Sequence, residues 1–328
     1  MKIQSNTNYE QLLITSLADM KDADPLYRPT NFWNFGVRAI LRDFFGHGLE
    51  NFKSWPSRVF FVPHYGYGFT TKSIEETKKF LEGNFAAVNT NPLSDLLTGR
   101  AEAIRDWDVA RSTWNQERWP VDFNFGESAV GKPNPYIRLL GKGRPGISKA
   151  FMNYLLLFSL LSRHVDNPPE SFVEIGGGYG AAADVMFGIN PQSRYINYDI
   201  PPLSIVSQYY MDKAHPRSDY RIRQSWELPK HDSTEDVFIN SFSMQEMEPN
   251  VVSNYIRIIA KTGPRFVVSL NSFAGKNVAK SDTELGVRKQ VTSDFIEKQF
   301  TSHGYQTLGR YREPFQRSAA VALIMKKK

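Results

Sequence analysis

The sequence predicts an α/β fold: a parallel sheet with helices on both faces, preceded by a mainly helical N-terminal region. Three observations predict it. Strand-like and helix-like segments alternate from about residue 146 to the end, which is the signature of a parallel sheet. A glycine cluster, Gly176-Gly177-Gly178-Tyr179-Gly180, lies between the first of these strands and the helix after it. The last two strand segments are joined by a short link and read as an antiparallel hairpin.

Taken in order, residues 147–165 read as one long helix ended by Asn167-Pro168-Pro169, because proline disfavours helix in the residue before it. Strands follow at 171–175, 194–198, 219–224, 236–241, 265–270, 305–311 and 319–326, and helices at 181–188, 203–213, 249–261 and 292–303. Before residue 146 this alternation is missing. Residues 74–81 are amphipathic at helical spacing, with Ser73 as N-cap, and 95–119 read as a helix carrying Trp107, Trp114 and Trp119. On either side of them lie irregular stretches rich in glycine and aromatic residues, at 57–70 and 122–146, of the kind that form lids and binding loops. The expected organisation is a substrate or lid region over 1–145 and a ligand-binding domain over 146–328.

The 328 residues suffice for one large domain or two ordinary ones. With no cysteine, disulfides, thiolate metal sites and a cysteine nucleophile are excluded. The first residues contain no apolar core of signal-peptide length. The most apolar run, 154–161, is far short of the roughly 20 residues a membrane span needs. A cytoplasmic protein with no membrane partner is expected. The formal charge of +6 is scattered along the chain, apart from Lys326-Lys327-Lys328. It reads as a slightly basic surface, or as a preference for anionic ligands such as phosphosugars, nucleotide-sugars or nucleic acid.

The glycine cluster fits two ligands. Through Gly176, Gly178 and Ala181 it matches the dinucleotide fingerprint, with Asp199 at the end of the next strand to hold a ribose hydroxyl. From Glu174 to Gly180 it also matches E-x-G-x-G-x-G, the S-adenosylmethionine loop. Both ligands carry adenosine, so Asp199 cannot separate them. Glu174 can: a carboxylate suits an ammonium and a sulfonium better than a pyrophosphate.

The segments Val173–Gly180 (VEIGGGYG), Asp199 and Asp236–Met247 (DVFINSFSMQEM), with the terminal hairpin, resemble a class I S-adenosylmethionine-dependent methyltransferase. With Asp199–Pro202 (DIPP) and Pro29–Trp33 (PTNFW), the chain is similar to the bacterial sugar O-methyltransferase family. The resemblance implies a Rossmann-like sheet of seven strands. It implies that the loop of Gly176, Gly177, Gly178, Tyr179 and Gly180 approaches the methionine part, with Glu174 beside it. Asp199, followed by Ile200, would hold the ribose. Ser225 and Trp226 would flank the adenine, and Asn240 and Ser241 would sit under the sulfonium.

Methyl transfer is an in-line displacement, so positioning dominates, and a hydroxyl acceptor also needs a base. Glu246 and then His64 are the candidate bases. Trp33, Tyr65 and Tyr67 offer flat apolar faces for a sugar ring. The expected acceptor is a small molecule, a sugar or a glycosylated or phosphorylated metabolite. Alternatives are N- or O-methylation of a peptide or other natural product, and an NAD-dependent oxidoreductase. Nucleic acid is disfavoured: no Asn/Asp-Pro-Pro-aromatic motif follows the fourth strand, and cytosine C5 chemistry needs a cysteine. An RNA ribose methyltransferase is left open on charge alone. No paired-acid motif is evident among Glu246, Glu248, Asp282 and Glu284, so metal independence is expected. Association into a homo-oligomer is compatible with the sequence.

Overall fold

A computed structural model describes residues 3–63, 65, 76, 79, 99–133, 138–139, 146–312, 315 and 319–328. Its centre is a seven-stranded sheet. The strands are β1 (Ser171–Ile175), β2 (Arg194–Asp199), β3 (Asp219–Gln224), β4 (Val237–Ser241), β5 (Phe266–Ser272), β6 (Tyr305–Tyr311) and β7 (Ala320–Lys327). Their spatial order is β3-β2-β1-β4-β5-β7-β6. The first five are parallel, and β7 runs antiparallel to both β5 and β6. The expected α/β class, strand count and terminal hairpin are all present.

Why these segments are strands follows from burial. β1, β4 and β5 are buried along their whole length, as near-continuous apolar strands covered on both faces must be. Successive side chains then feed opposite cores. Phe172, Ile239 and Val268 enter one cluster with the helices α4 (Lys149–Leu161), α5 (Ala181–Ile189) and α6 (Leu203–Ala214). Val173, Phe238 and Val267 enter the other, with α7 (Pro249–Thr262) and α8 (Ser293–Ser302). β3, at the edge, alternates exposed and half-buried residues.

The region before residue 146 is built on α1 (Ile3–Asp22), α2 (Asn31–His47) and α3 (Arg100–Thr113). Neither α1 nor α2 stood out in the sequence. α1 seats itself through only a few positions, chiefly Tyr9 and Leu13, too few to mark a stripe. α2 does carry one, through Phe32, Val37, Ile40 and Phe44, hidden by a background rich in aromatics. The helix read over 95–119 is shorter: it ends at Thr113, and Trp114 and Trp119 pack edge to face beyond it. The segment 74–81 lies outside the described residues except at 76 and 79, which are helical.

Most of the buried apolar side chains of this region share the first cluster with α4, α5 and α6, while Tyr27 enters the second. Phe52 packs against Tyr179, Tyr209 and Tyr210. Beside it Lys53 is fully buried, 2.8 Å from Glu127, and donates to the Ser128 carbonyl. Glu127 also accepts from the Tyr179 hydroxyl at 2.7 Å. A buried charge stripped of its partner typically costs about 3–5 kcal/mol. Lys53→Met should therefore lower the unfolding free energy by about that amount, and adding Glu127→Gln should restore part of it. Urea unfolding of both variants measures this. An unchanged midpoint for Lys53→Met would remove the pair as a support for the Glu127–Tyr179 contact that joins the two halves.

Candidate functional site

The site forms where the chain leaves β1 and turns through Gly176–Gly180 into α5. Gly177 lies against the interior: a side chain there would come within 2.4 Å of the Glu174 carboxylate. Gly178 differs. Its φ is +60°, a conformation that favours glycine, and a Cβ on it would meet nothing nearer than Phe61 at 3.8 Å. It faces open space. Its N–H donates to Asp199 Oδ2 at 2.9 Å, and the Ile200 N–H donates to Asp199 Oδ1 at 2.8 Å.

That space is a cavity of about 330 Å³. It lies at the carboxyl ends of β1, β2 and β4, where the strand order reverses and open α/β sheets bind ligands. Loop residues 176–179, Asp199, Ile200, Ser225, Ser241 and Glu246 all line it. Across from them stand Trp33 and Phe61 of the N-terminal region. Among the described residues, no group of three or more histidine or carboxylate side chains is arranged to hold a metal ion, and no helix is long and apolar enough to cross a membrane.

Three carboxyl groups behave unusually. Burial pushes Asp199 up to about 7, against the two backbone N–H groups that favour its charge, with Glu246 raising it further. Burial raises Glu246 too, opposed by the Lys276 ammonium and by a hydrogen bond from Trp33. Burial lifts Glu174 to about 8, countered in part by the hydrogen bond from Tyr154. Glu174 accepts hydrogen bonds from the hydroxyl of Tyr154, at 2.6 Å, and from that of Tyr195.

The placement of Glu174 corrects one expectation. It lies beneath the loop, fully buried, and does not line the cavity. Raised to about 8, it is mostly neutral at pH 7, so the argument that its charge would repel a pyrophosphate does not hold. Other residues also sit apart from the cavity. Gly180 abuts Met211 and Ser207. Trp226 packs against the second core rather than the cavity wall. Tyr65 is core, donating to Asp106 at 3.1 Å. Asn240 is buried behind the wall, donating to the Ile175 carbonyl at 3.0 Å and accepting from Asn271 at 2.9 Å. With Ser243, which also donates to Ile175 O, it ties the end of β4 to the start of the glycine loop. His64 and Tyr67 lie outside the described residues.

Several lining residues were not anticipated. Tyr255 and Val251, four apart on α7, stand beside Ser225. Tyr27 stacks on Tyr255 at 5.6 Å, and its carbonyl accepts from Ser225 Oγ at 2.6 Å. Thr30 Oγ1 donates to the Glu246 carbonyl at 2.8 Å. Residues 27–33 thus span the cavity from Ser225 to Glu246. Lys149 and Asn153 of α4 and Lys276 beyond β5 complete the wall. The spacing of Val251 and Tyr255 was readable as one helix face; Lys276 sits in an irregular segment with no pattern to mark it.

No family model matches the sequence, and no curated protein matches it. Solved structures with similar architecture include the mitomycin 7-O-methyltransferase MmcR, at 13% identity and TM-score 0.40, covering 49% of each chain. Magnesium protoporphyrin IX methyltransferase from Synechocystis PCC 6803 matches at 12% identity and TM-score 0.41, over 55% of this chain and 78% of its own. The pyocyanin biosynthetic protein PhzM matches at 13% and 0.40, over 53% and 57%. This chain thus spans only about half the length of MmcR and of PhzM. Matches at this level do not carry an activity across.

Glu174 makes a testable link between the loop and pH. Its folded pKa of about 8 lies above its ordinary value of 4.5. The unfolded chain therefore loses its proton first as pH rises. The stability contributed by the neutral buried carboxyl is complete below about 4.5 and disappears as pH passes through about 8. Urea midpoints between pH 5 and pH 9 should fall for the wild type. They should fall less for Glu174→Gln, which cannot ionise. Parallel curves for the two proteins would contradict this assignment.

Proposed function

We propose that this chain is an S-adenosylmethionine-dependent methyltransferase acting on a hydroxyl of a small molecule, a sugar or glycosylated metabolite. One observation carries the reading: the Gly178 backbone, Asp199 and Glu246 open into a single cavity at the switch point of the sheet. The residues fit the cofactor. Each Asp199 oxygen takes one backbone N–H and has a lone pair left for a ribose hydroxyl. Leu203, Val251 and Tyr255 beside Ser225 offer an apolar slot for adenine. The open face of Gly178 lets backbone come close to the methionine part. When bound, the cofactor supplies an electrophilic methyl on a sulfonium.

The chain's own residues do the rest. Glu246 lines the cavity on the side of Trp33 and Thr30, where it can take the proton of an attacking hydroxyl. The aromatic wall of Trp33, Phe60 and Phe61 suits the flat apolar face of a sugar ring. A base is needed for a hydroxyl and not for a neutral amine, so a carboxylate here supports O-methylation.

Titration calorimetry should show S-adenosylmethionine binding to the wild type. Gly178→Val should abolish it with the circular dichroism spectrum retained, since the side chain fills the approach. Asp199→Ala should weaken it by about 1–3 kcal/mol, the cost of leaving the ribose hydroxyl without its hydrogen-bond acceptor. Binding of NAD with no binding of S-adenosylmethionine contradicts the reading. With methyl-labelled S-adenosylmethionine and a panel of free and nucleotide-linked sugars, Glu246→Gln should lower the transfer rate by about 10²- to 10⁴-fold. Cofactor affinity should stay unchanged. A wild-type rate for that variant would remove Glu246 as the base.

A further inference from the structure

The environment of Glu246 is asymmetric. It is buried in the cavity wall, and desolvation favours its neutral form. A neutral carboxylic acid cannot take a proton from an acceptor. The charged groups around it therefore decide whether it can act.

From the end of β2, Asp199 faces the same cavity and is of the same sign. From α2 and the residues before it come only uncharged partners: the Trp33 side chain donates to the carboxylate, and Thr30 takes the main-chain carbonyl. Arg28 lines the cavity, its Nε committed to the Ala23 carbonyl. Lys149 of α4 lines it too, held by Glu102 at 3.0 Å and Asp106 at 2.6 Å. Glu248, two residues on, accepts the N–H groups of Arg288 and Lys289.

Among the described residues the cation that meets Glu246 is Lys276. Its Nζ lies 2.8 Å from Glu246 Oε1 and 4.8 Å from the centroid of the Phe32 ring, so an aromatic face steadies it. Its backbone is anchored as well, because the Gln290 side-chain amide donates to the Lys276 carbonyl at 2.9 Å. Both Lys276 and Glu246 line the cavity.

We propose that Lys276 is a positioning residue for methyl transfer: its ammonium, cradled by Phe32, keeps Glu246 ionised and turned to the cavity. This rests on the function proposed above. In the step it serves, the acceptor O–H breaks and its proton passes to Glu246. The new O–C bond forms as the S–C bond breaks, and that electron pair stays on sulfur. Lys276 touches neither reacting atom and acts only through the carboxylate.

The test reads Glu246 directly. The side-chain carboxyl of Glu246 is followed by carbon-13 NMR across pH, its resonance assigned by its loss in Glu246→Gln. Lys276→Met should move the titration to higher pH, and Lys276→Arg should return it near the wild-type position. Lys276→Gln repeats the test should the Met variant misfold. In an active assay the acid limb of kcat should move with the titration, while KM for S-adenosylmethionine stays put. A Glu246 titration that is the same with and without Lys276 overturns the inference and leaves the methyltransferase reading standing. Calorimetry on the wild type separates the other failure. Absence of S-adenosylmethionine binding there removes the reaction the pair would serve, whatever the NMR shows.

Discussion

The glycine loop takes its path because a buried carboxyl lies directly beneath it. Glu174 fills the space under Gly177 so closely that any side chain there would collide with it. It is itself held by the hydroxyls of Tyr154 on α4 and Tyr195 on β2. That single group ties a helix, two strands and a turn together. Buried polar groups are tolerated when they are hydrogen-bonded, and neutrality spares Glu174 the cost of a buried charge. The consequence reaches the cavity. With Gly177 pressed against the interior, Gly178 is turned outward, its N–H on Asp199 and its bare face on open space.

A second constraint comes from the other end of the chain. The N-terminal region is wall as much as neighbour. Lys53 and Glu127 meet Tyr179 of the loop, so residues far apart in sequence brace the same turn. Residues 27–33 run from Ser225 to Glu246 along the cavity. The shape of the cavity and the packing of the N-terminal region are therefore physically coupled, since Trp33, Phe60 and Phe61 supply part of its wall.

How much of this was legible beforehand depended on whether a feature left a local pattern. The sheet was readable because buried parallel strands are continuous apolar runs and the helices between them are periodic. The loop and Asp199 were readable because glycine spacing and the distance to the next strand end are local facts. What sequence could not show was direction. Glu174 and Asn240 sit in the right segments, yet both point beneath the cavity and hold it up from behind. Trp226 follows Ser225 immediately, and one position was enough to turn it into the second core. Tyr255 and Lys276 arrive from distant segments, brought in by the topology alone. α2 was hidden for the opposite reason, since in a region so rich in aromatics its apolar stripe did not stand out.

The central claim is that the Gly178 backbone and Asp199 hold an adenosine-bearing sulfonium cofactor. Native mass spectrometry of the protein as purified from cells, without added ligand, tests it most directly. The account predicts bound S-adenosylmethionine or its demethylated product, absent from Gly178→Val prepared the same way. Bound NAD, or the same ligand retained by Gly178→Val, would contradict it.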